Sequence, residues 1–187
     1  MAMNYDHVMS LKQEGQEFSY GDRETMLYAL GVGFGRDAMD QKELDYVFEG
    51  NPLKTVPSLA VVLTRGSLLA DCGWDYTKVL HGEQRLELYR PLPPTGELIA
   101  DARVVEAYDK GEGKGAVVHT EISVRLKSDG EPLFKVGIAT FARGDGGFGG
   151  STAQAPAPHP TPDRAPDVTC ELETRVDQAL LYRLSGD

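Results

Sequence analysis

The sequence predicts an α+β domain in which an antiparallel sheet packs around an apolar helix. Three observations point there. From Leu86 onward apolar and polar residues alternate with a period of two, most clearly over residues 116–127, the pattern of strands that bury one face. These stretches are punctuated by Asp129-Gly130 and by Gly111-Glu112-Gly113-Lys114-Gly115, residues that tolerate the left-handed conformations of tight turns. Upstream, residues 58–70 are apolar nearly all round, through Leu59, Ala60, Val61, Val62, Leu63, Leu68 and Leu69, as a helix enclosed by a sheet would be.

The elements follow in order. Residues 22–30 form the first predicted helix: Asp22 caps it, Glu24 lies in its first turn, Met26, Leu27 and Leu30 recur at helical spacing, and Gly31 and Gly33 stop it. A second helix opens at Asp40, a cap to which Glu43 can reach back. It sets Leu44, Val47 and Phe48 on one face before Gly50 and Pro52 end it. The apolar helix over 58–70 comes next, then a strand over 98–108. In the strand over 116–127, Val118, Thr120, Ile122, Val124 and Leu126 share one face, while His119, Glu121, Ser123, Arg125 and Lys127 share the other. After the Asp129-Gly130 turn, Phe134, Val136, Ile138 and Thr140 continue the inward face.

Residues 144–166 carry glycines and then Ala-Pro repeats without apolar periodicity, a linker that buries too little surface to offset its ordering entropy. Beyond it the fold starts again. Leu27-Tyr28-x-Leu30 aligns with Leu181-Tyr182-x-Leu184 at an offset of 154 residues, which reads as an internal duplication, with chance similarity of two amphipathic helices as the alternative. The expected organisation is a first domain over 1–145, a linker over 146–168 and the start of a second unit over 169–187.

At 187 residues and 41% hydrophobic content, the chain can bury one good core. A formal net charge of −10 with no basic stripe speaks against nucleic acid as a partner. Cys72 and Cys170 lie far apart without metal-ligand spacing, so neither a disulfide framework nor a zinc site is expected. With no leader pattern and no run of about eighteen apolar residues, the expectation is a soluble, reduced, intracellular protein that does not enter a membrane. Gly31-Val32-Gly33-Phe34-Gly35 imitates a phosphate loop but ends a helix where such a loop would begin one. Asp37, Asp40, Glu43 and Asp45 read as a hydrated surface, not a metal cluster. Cys72 and Trp74 read as packing, and His119 and His159 as surface residues.

One set of motifs carries a resemblance. Tyr28-Ala29-Leu30-Gly31-Val32-Gly33, Val79-Leu80-His81-Gly82-Glu83-Gln84, Leu88-Tyr89-Arg90-Pro91-Leu92-Pro93, Asp109-Lys110-Gly111, Gly146-Gly147-Phe148-Gly149-Gly150 and the run from Asp177 to Asp187 occur in an order and spacing that cover nearly the whole chain. Together they resemble the MaoC-like (3R)-hydroxyacyl-CoA dehydratases, also called 2-enoyl-CoA hydratase 2, a family of two fused hot-dog folds. The resemblance implies a hot-dog fold followed by a linker and the first elements of a second hot dog.

It also implies a chemistry: reversible addition of water across the double bond of a trans-2-enoyl thioester. Such a reaction needs a base for water, an acid for the α-proton, and donors for the charge on the thioester oxygen. By resemblance Asp187 matches the family's catalytic Asp, whose signature continues as Asp-x-Asn-Pro-x-His. The partner histidine has no counterpart, since His7, His81, His119 and His159 all precede Asp187, and the chain alone is expected to be inactive. In the first half Gly33 and Ala38 stand at the equivalent positions; the resemblance implies that this half accommodates a bulky acyl chain. His81-Gly82 matches a pair that contacts bound acyl-CoA, and Lys110 a lysine on the coenzyme A side. Read from the residues alone, His81 could equally end a strand and Lys110 could be a solvated turn lysine. No cofactor is implied, because the coenzyme A thioester is the substrate. A second hot-dog domain or a further copy is the implied partner, and the cytoplasm, or the peroxisome in a eukaryote, the implied location. The competing functions are a non-catalytic acyl-CoA-binding hot-dog subunit that partners a catalytic one and, more remotely, a thioesterase.

Overall fold

The computed structural model describes residues 3–64, 66–157 and 160–186. Five strands form one antiparallel sheet: β1 (Lys12–Tyr20), β2 (Val79–Leu88), β3 (Gly96–Asp109), β4 (Ala116–Leu126) and β5 (Pro132–Ala142), in the order β1-β3-β4-β5-β2. Five helices accompany them: α1 (Tyr5–Ser10), α2 (Asp22–Gly31), α3 (Gln41–Val47), α4 (Ala60–Leu63) and α5 (Gln178–Gly186). The two central hairpins are those the alternation predicted, with Gly111, Gly113, Gly115 and Gly130 all at positive φ in their turns. Register follows the hydrophobic pattern. Thr120 pairs with Ile138, Ile122 with Val136 and Val124 with Phe134 across β4 and β5, while Ala100 and Ala102 of β3 face Val124 and Ile122. A slip of one residue would turn this whole set outward.

The inner face carries the core. Leu98, Ala100, Val124, Leu133, Phe134 and Val136 pack against Tyr28 and Ala29 of α2 and against Val56, Leu59 and Ala60. A second cluster at the other end joins Val8, Cys72, Trp74, Val104, Val118 and Ala142. Cys72 and Trp74 are packing residues, as expected, and burial pushes the Cys72 thiol up to about 11. The Pro-rich motif anchors the helical layer: Tyr20 and Thr55 hydroxyls donate to the Pro93 carbonyl and Thr25 to that of Pro94. Arg90 grips Asp129 with two N–H groups at 2.8 and 2.9 Å and so ties the end of β2 to the β4–β5 turn. That fork holds the Asp129 carboxyl down to about 2.

Several expectations are corrected. The apolar helix over 58–70 is only a 3-10 turn, Pro57–Leu59, followed by the single turn α4. Val61, Val62 and Thr64 are β-branched and Gly66 follows closely, so propensity does not carry the helix on; Arg65 lies outside the described residues. The long helix against the core is α2. Its cap is Gly21, not Asp22: the Glu24 carboxylate reaches back to the Gly21 N–H at 2.8 Å. Asp40 caps α3 through the Lys42 N–H, but Glu43 accepts from the N–H of Arg36 and not from that of Asp40, and Phe48 is 46% exposed. The β2 strand begins at Val79, ahead of Leu86. The expected linker begins as ordered chain: Ser151 bridges Tyr108 in parallel and Phe148 packs on the second cluster. From Thr152 to Asp177 the described residues form neither helix nor strand.

After that stretch α5 returns to pack on α2. The Gln178 side-chain amide donates to the carbonyls of Leu30 and Gly31. Tyr28 and Tyr182 meet with ring centroids 6.0 Å apart. A Cβ at Gly31 would lie 3.0 Å from the Tyr182 Cα, so glycine sets how closely the helices approach.

Candidate functional site

Because the 58–70 segment does not form a long helix, it roofs the inner face of the sheet incompletely. A cavity of about 210 Å³ remains, lined by Phe18 of β1, Ala100 and Ala102 of β3, Thr120 and Ile122 of β4, Ile138 and Thr140 of β5, and Val61, Thr64, Leu68 and Leu69 above them, with Gln13 and Gln16 at the β1 side. Its walls are mainly apolar, as a site that takes hydrocarbon requires.

A second hollow, about 360 Å³, lies on the outer face around His119, Glu83, Arg85, Glu121, Lys135, Val105 and Pro156. Its charges are already partnered: Arg85 with Glu83 at 3.0 Å, Arg103 with Glu121 at 3.1 Å, Lys135 with Glu87 and Glu121 at 3.7 and 3.6 Å. We therefore take the smaller, apolar cavity as the ligand site. His119, expected at the surface, is half-buried and meets Tyr108 edge-on at 5.3 Å. Burial first of all holds its imidazole below the ordinary range, with Arg85 adding and Glu83 opposing.

His81, Gly82 and Lys110 stand at one end of the sheet. His81 is exposed on β2 opposite Thr140, and so shares the cavity's face. Gly82 falls in a bulge between the His81 and Glu83 pairings. Its missing side chain is explained within the fold, since a Cβ there would come 3.0 Å from the Ala139 carbonyl oxygen. Lys110 places its ammonium 5.2 Å from the centroid of the Phe141 ring. Phe141 pairs with Leu80, the residue before His81 on β2, while Lys110 follows directly on the last residue of β3. Asp187 lies outside the described residues. Among the described residues no group of three or more His, Cys, Asp or Glu is placed to hold a metal ion.

Sequence reasoning missed what positions Lys110. The Asp109 carboxylate accepts N–H groups from Gly111 and Gly147 through Oδ1, both at 2.8 Å, and from Gly149 through Oδ2 at 2.9 Å. It thereby clasps the Gly146–Gly150 motif onto the β3–β4 hairpin. The Gly147 N–H above all, with those of Gly111, Gly149 and Gly150, holds this carboxyl below its ordinary range against partial burial. Gly146 and Gly150 admit the contact because a Cβ would come 2.0 Å from the Gly111 oxygen in one case and 2.7 Å from the Ala107 oxygen in the other. The signal was present as two motifs, Asp109-Lys110-Gly111 and the glycine run, but nothing in their separation said that they touch.

The sequence profile of the family described as the MFE-2 hydratase 2 N-terminal domain matches residues 18–144. The chain belongs to that family. The matched span holds the sheet from Phe18 to the end of β5, the apolar cavity except for Gln13 and Gln16 at its β1 side, His81-Gly82 and Lys110. Among curated relatives, the chain is 35% identical over 202 residues to the peroxisomal enoyl-CoA hydratase 2 of Arabidopsis thaliana, covering 98% of this chain and 65% of that protein. It is 37% identical over 175 residues to 3-hydroxyacyl-thioester dehydratase Y of Mycobacterium tuberculosis, covering 91% and 59%. The MaoC-like dehydratase structure from Phytophthora capsici superposes with a TM-score of 0.78 at 27% identity, covering 99% of this chain and 65% of that one. Full-length peroxisomal multifunctional enzyme type 2 from Drosophila melanogaster gives 0.71 at 34%, covering 93% and 30%. The fold is thus the hot dog of the MaoC-like dehydratases, and this chain spans just under two thirds of the Arabidopsis relative. The same fold, at 14% identity and a TM-score of 0.53, occurs in the ChsH1–ChsH2 complex of M. tuberculosis.

Proposed function

We propose that the chain supplies the acyl-accommodating hot dog of an R-specific 2-enoyl-CoA hydratase, which is equally a (3R)-3-hydroxyacyl-CoA dehydratase. The observation that carries this reading is the apolar inner-face cavity in a member of a hydratase 2 family. The cavity takes the hydrocarbon tail of the acyl-CoA, while Lys110 and the exposed His81 serve the polar end, Lys110 by attracting a coenzyme A phosphate. Asp187 is the acid–base group. It works with a histidine of the kind that closes the family signature Asp-x-Asn-Pro-x-His, one of the two groups activating water and the other delivering the α-proton while backbone donors hold the thioester oxygen.

A division of labour within the fold supports the same reading. At the offset that aligns Tyr28 with Tyr182, Asp187 corresponds to Gly33, which has φ +105° and no carboxylate. The first copy binds and the second reacts. A second hot dog, in the same chain or a further copy, covers Leu180 and Leu184, which are 66% and 59% exposed, and pairs with the free edge of β2. The cytoplasm is the proposed location, or the peroxisome in a eukaryotic source, as in the name of the Arabidopsis relative.

Calorimetric titration with saturated acyl-CoAs of increasing length tests the reading. Affinity should rise with each methylene, by at most ~0.8 kcal/mol when fully buried. It should level off after about seven, the number of water-sized groups of ~30 Å³ that a 210 Å³ cavity holds. Affinity indifferent to length would remove the acyl role.

A further inference from the structure

The cavity is not the plain hydrocarbon slot that a fatty acyl tail needs. Thr64 and Thr120 are 4% and 6% exposed, both line it together with Thr140, and none of the three hydroxyls has a hydrogen-bond partner among the described residues. Thr120 stands in the inward stripe Val118-Thr120-Ile122-Val124, paired with Val104 on one side and Ile138 on the other. Valine would fill that position with the same shape, so packing does not ask for the hydroxyl. A hydroxyl that opens on a ligand cavity is free to pair with an oxygen that the ligand brings. Thr64 comes from the roof and Thr120 and Thr140 from the sheet, which sets threonines on opposite walls of one space. Each can both donate and accept, so together they suit an oxygen atom of either kind.

Resting on the acyl-binding reading above, we propose that this cavity prefers acyl chains bearing a hydroxyl or oxo group remote from the thioester, and that Thr64, Thr120 and Thr140 are the residues that read it. No bond is made or broken here, and the threonines determine specificity without entering the chemistry. Plain alkyl tails still bind, but they leave the three hydroxyls unserved.

The probes are octanoyl-, nonanoyl- and decanoyl-CoA, each against its counterpart with a hydroxyl or oxo group on the penultimate carbon, titrated calorimetrically into the 187-residue chain. The oxygenated member of each pair should bind roughly three- to tenfold more tightly, the size of one or two net neutral hydrogen bonds. In Thr64→Val/Thr120→Val/Thr140→Val that ratio should fall to about one, while Thr120→Ser, which keeps the hydroxyl, should retain it. Equal or weaker binding of the oxygenated chains, or an advantage that survives the triple valine variant, overturns the proposal. If affinity rises with length but ignores the oxygen, only the threonine proposal falls. If affinity ignores length as well, or no acyl-CoA binds, the acyl reading falls and takes the proposal with it.

Discussion

Asp109 shows how much one side chain can organise. Its carboxylate satisfies three glycine N–H groups from two motifs, so Asp109→Asn should cost about 1–2 kcal/mol at neutral pH, the scale of a charged, partly exposed hydrogen-bonding group. Its folded-state pKa is lowered, so the stability it contributes is fully present above the unfolded value near ~3.9 and is lost as pH falls through the folded one. The gap between wild type and Asp109→Asn, followed by urea unfolding, should therefore close below about pH 4. A gap that persists in acid would mean that the charge is not what matters. Gly115→Ala makes a sharper test: it puts a Cβ at φ +87° within 2.8 Å of the Ala142 oxygen, and should cost more than about 1 kcal/mol. The sequence offered Lys110 and His81 by resemblance, but not Asp109 or the buried Thr64 and Thr120. Alternation turns Thr120 inward without showing a cavity there, and a carboxylate beside glycines carries no periodic signal; both roles come from contacts between distant segments.

Among the elements, the strands were legible and the roof was not. Strict alternation over 116–127 could place Val118, Thr120 and Val124 inward because strand period and burial coincide. The 58–70 segment is apolar on every side, and periodicity alone does not separate a buried helix from buried irregular chain. The misreading falls on the segment whose shortened helix leaves the cavity. The α2–α5 contact was foreshadowed by the Tyr28–Tyr182 alignment. The two tyrosines that this alignment pairs meet with ring centroids 6.0 Å apart. Gly31 is the pivot. Alanine at a helical glycine ordinarily gains up to about 1 kcal/mol, but here its Cβ would press on the Tyr182 backbone at 3.0 Å. Gly31→Val should therefore loosen α5, seen as faster amide exchange over 178–186 with little change in β3 to β5. Unchanged exchange there would show that the helix packing does not depend on Gly31.

For the molecule as a whole, the account rests on one apolar cavity beneath a broken roof, with charge and exposed edges left to the outside. The exposed Leu180 and Leu184 and the free β2 edge predict association with a second hot dog, so sedimentation of the purified chain should show concentration-dependent dimers. A monomer at every concentration would contradict that. The central claim is where the acyl chain goes, and methyl NMR with octanoyl-CoA tests it most directly. Binding in the cavity shifts the methyl resonances of Val61, Leu68, Leu69 and Ile122, and leaves that of Val105 in the outer hollow unmoved. Shifts confined to Val105 and its neighbours, with the four cavity residues silent, would contradict it.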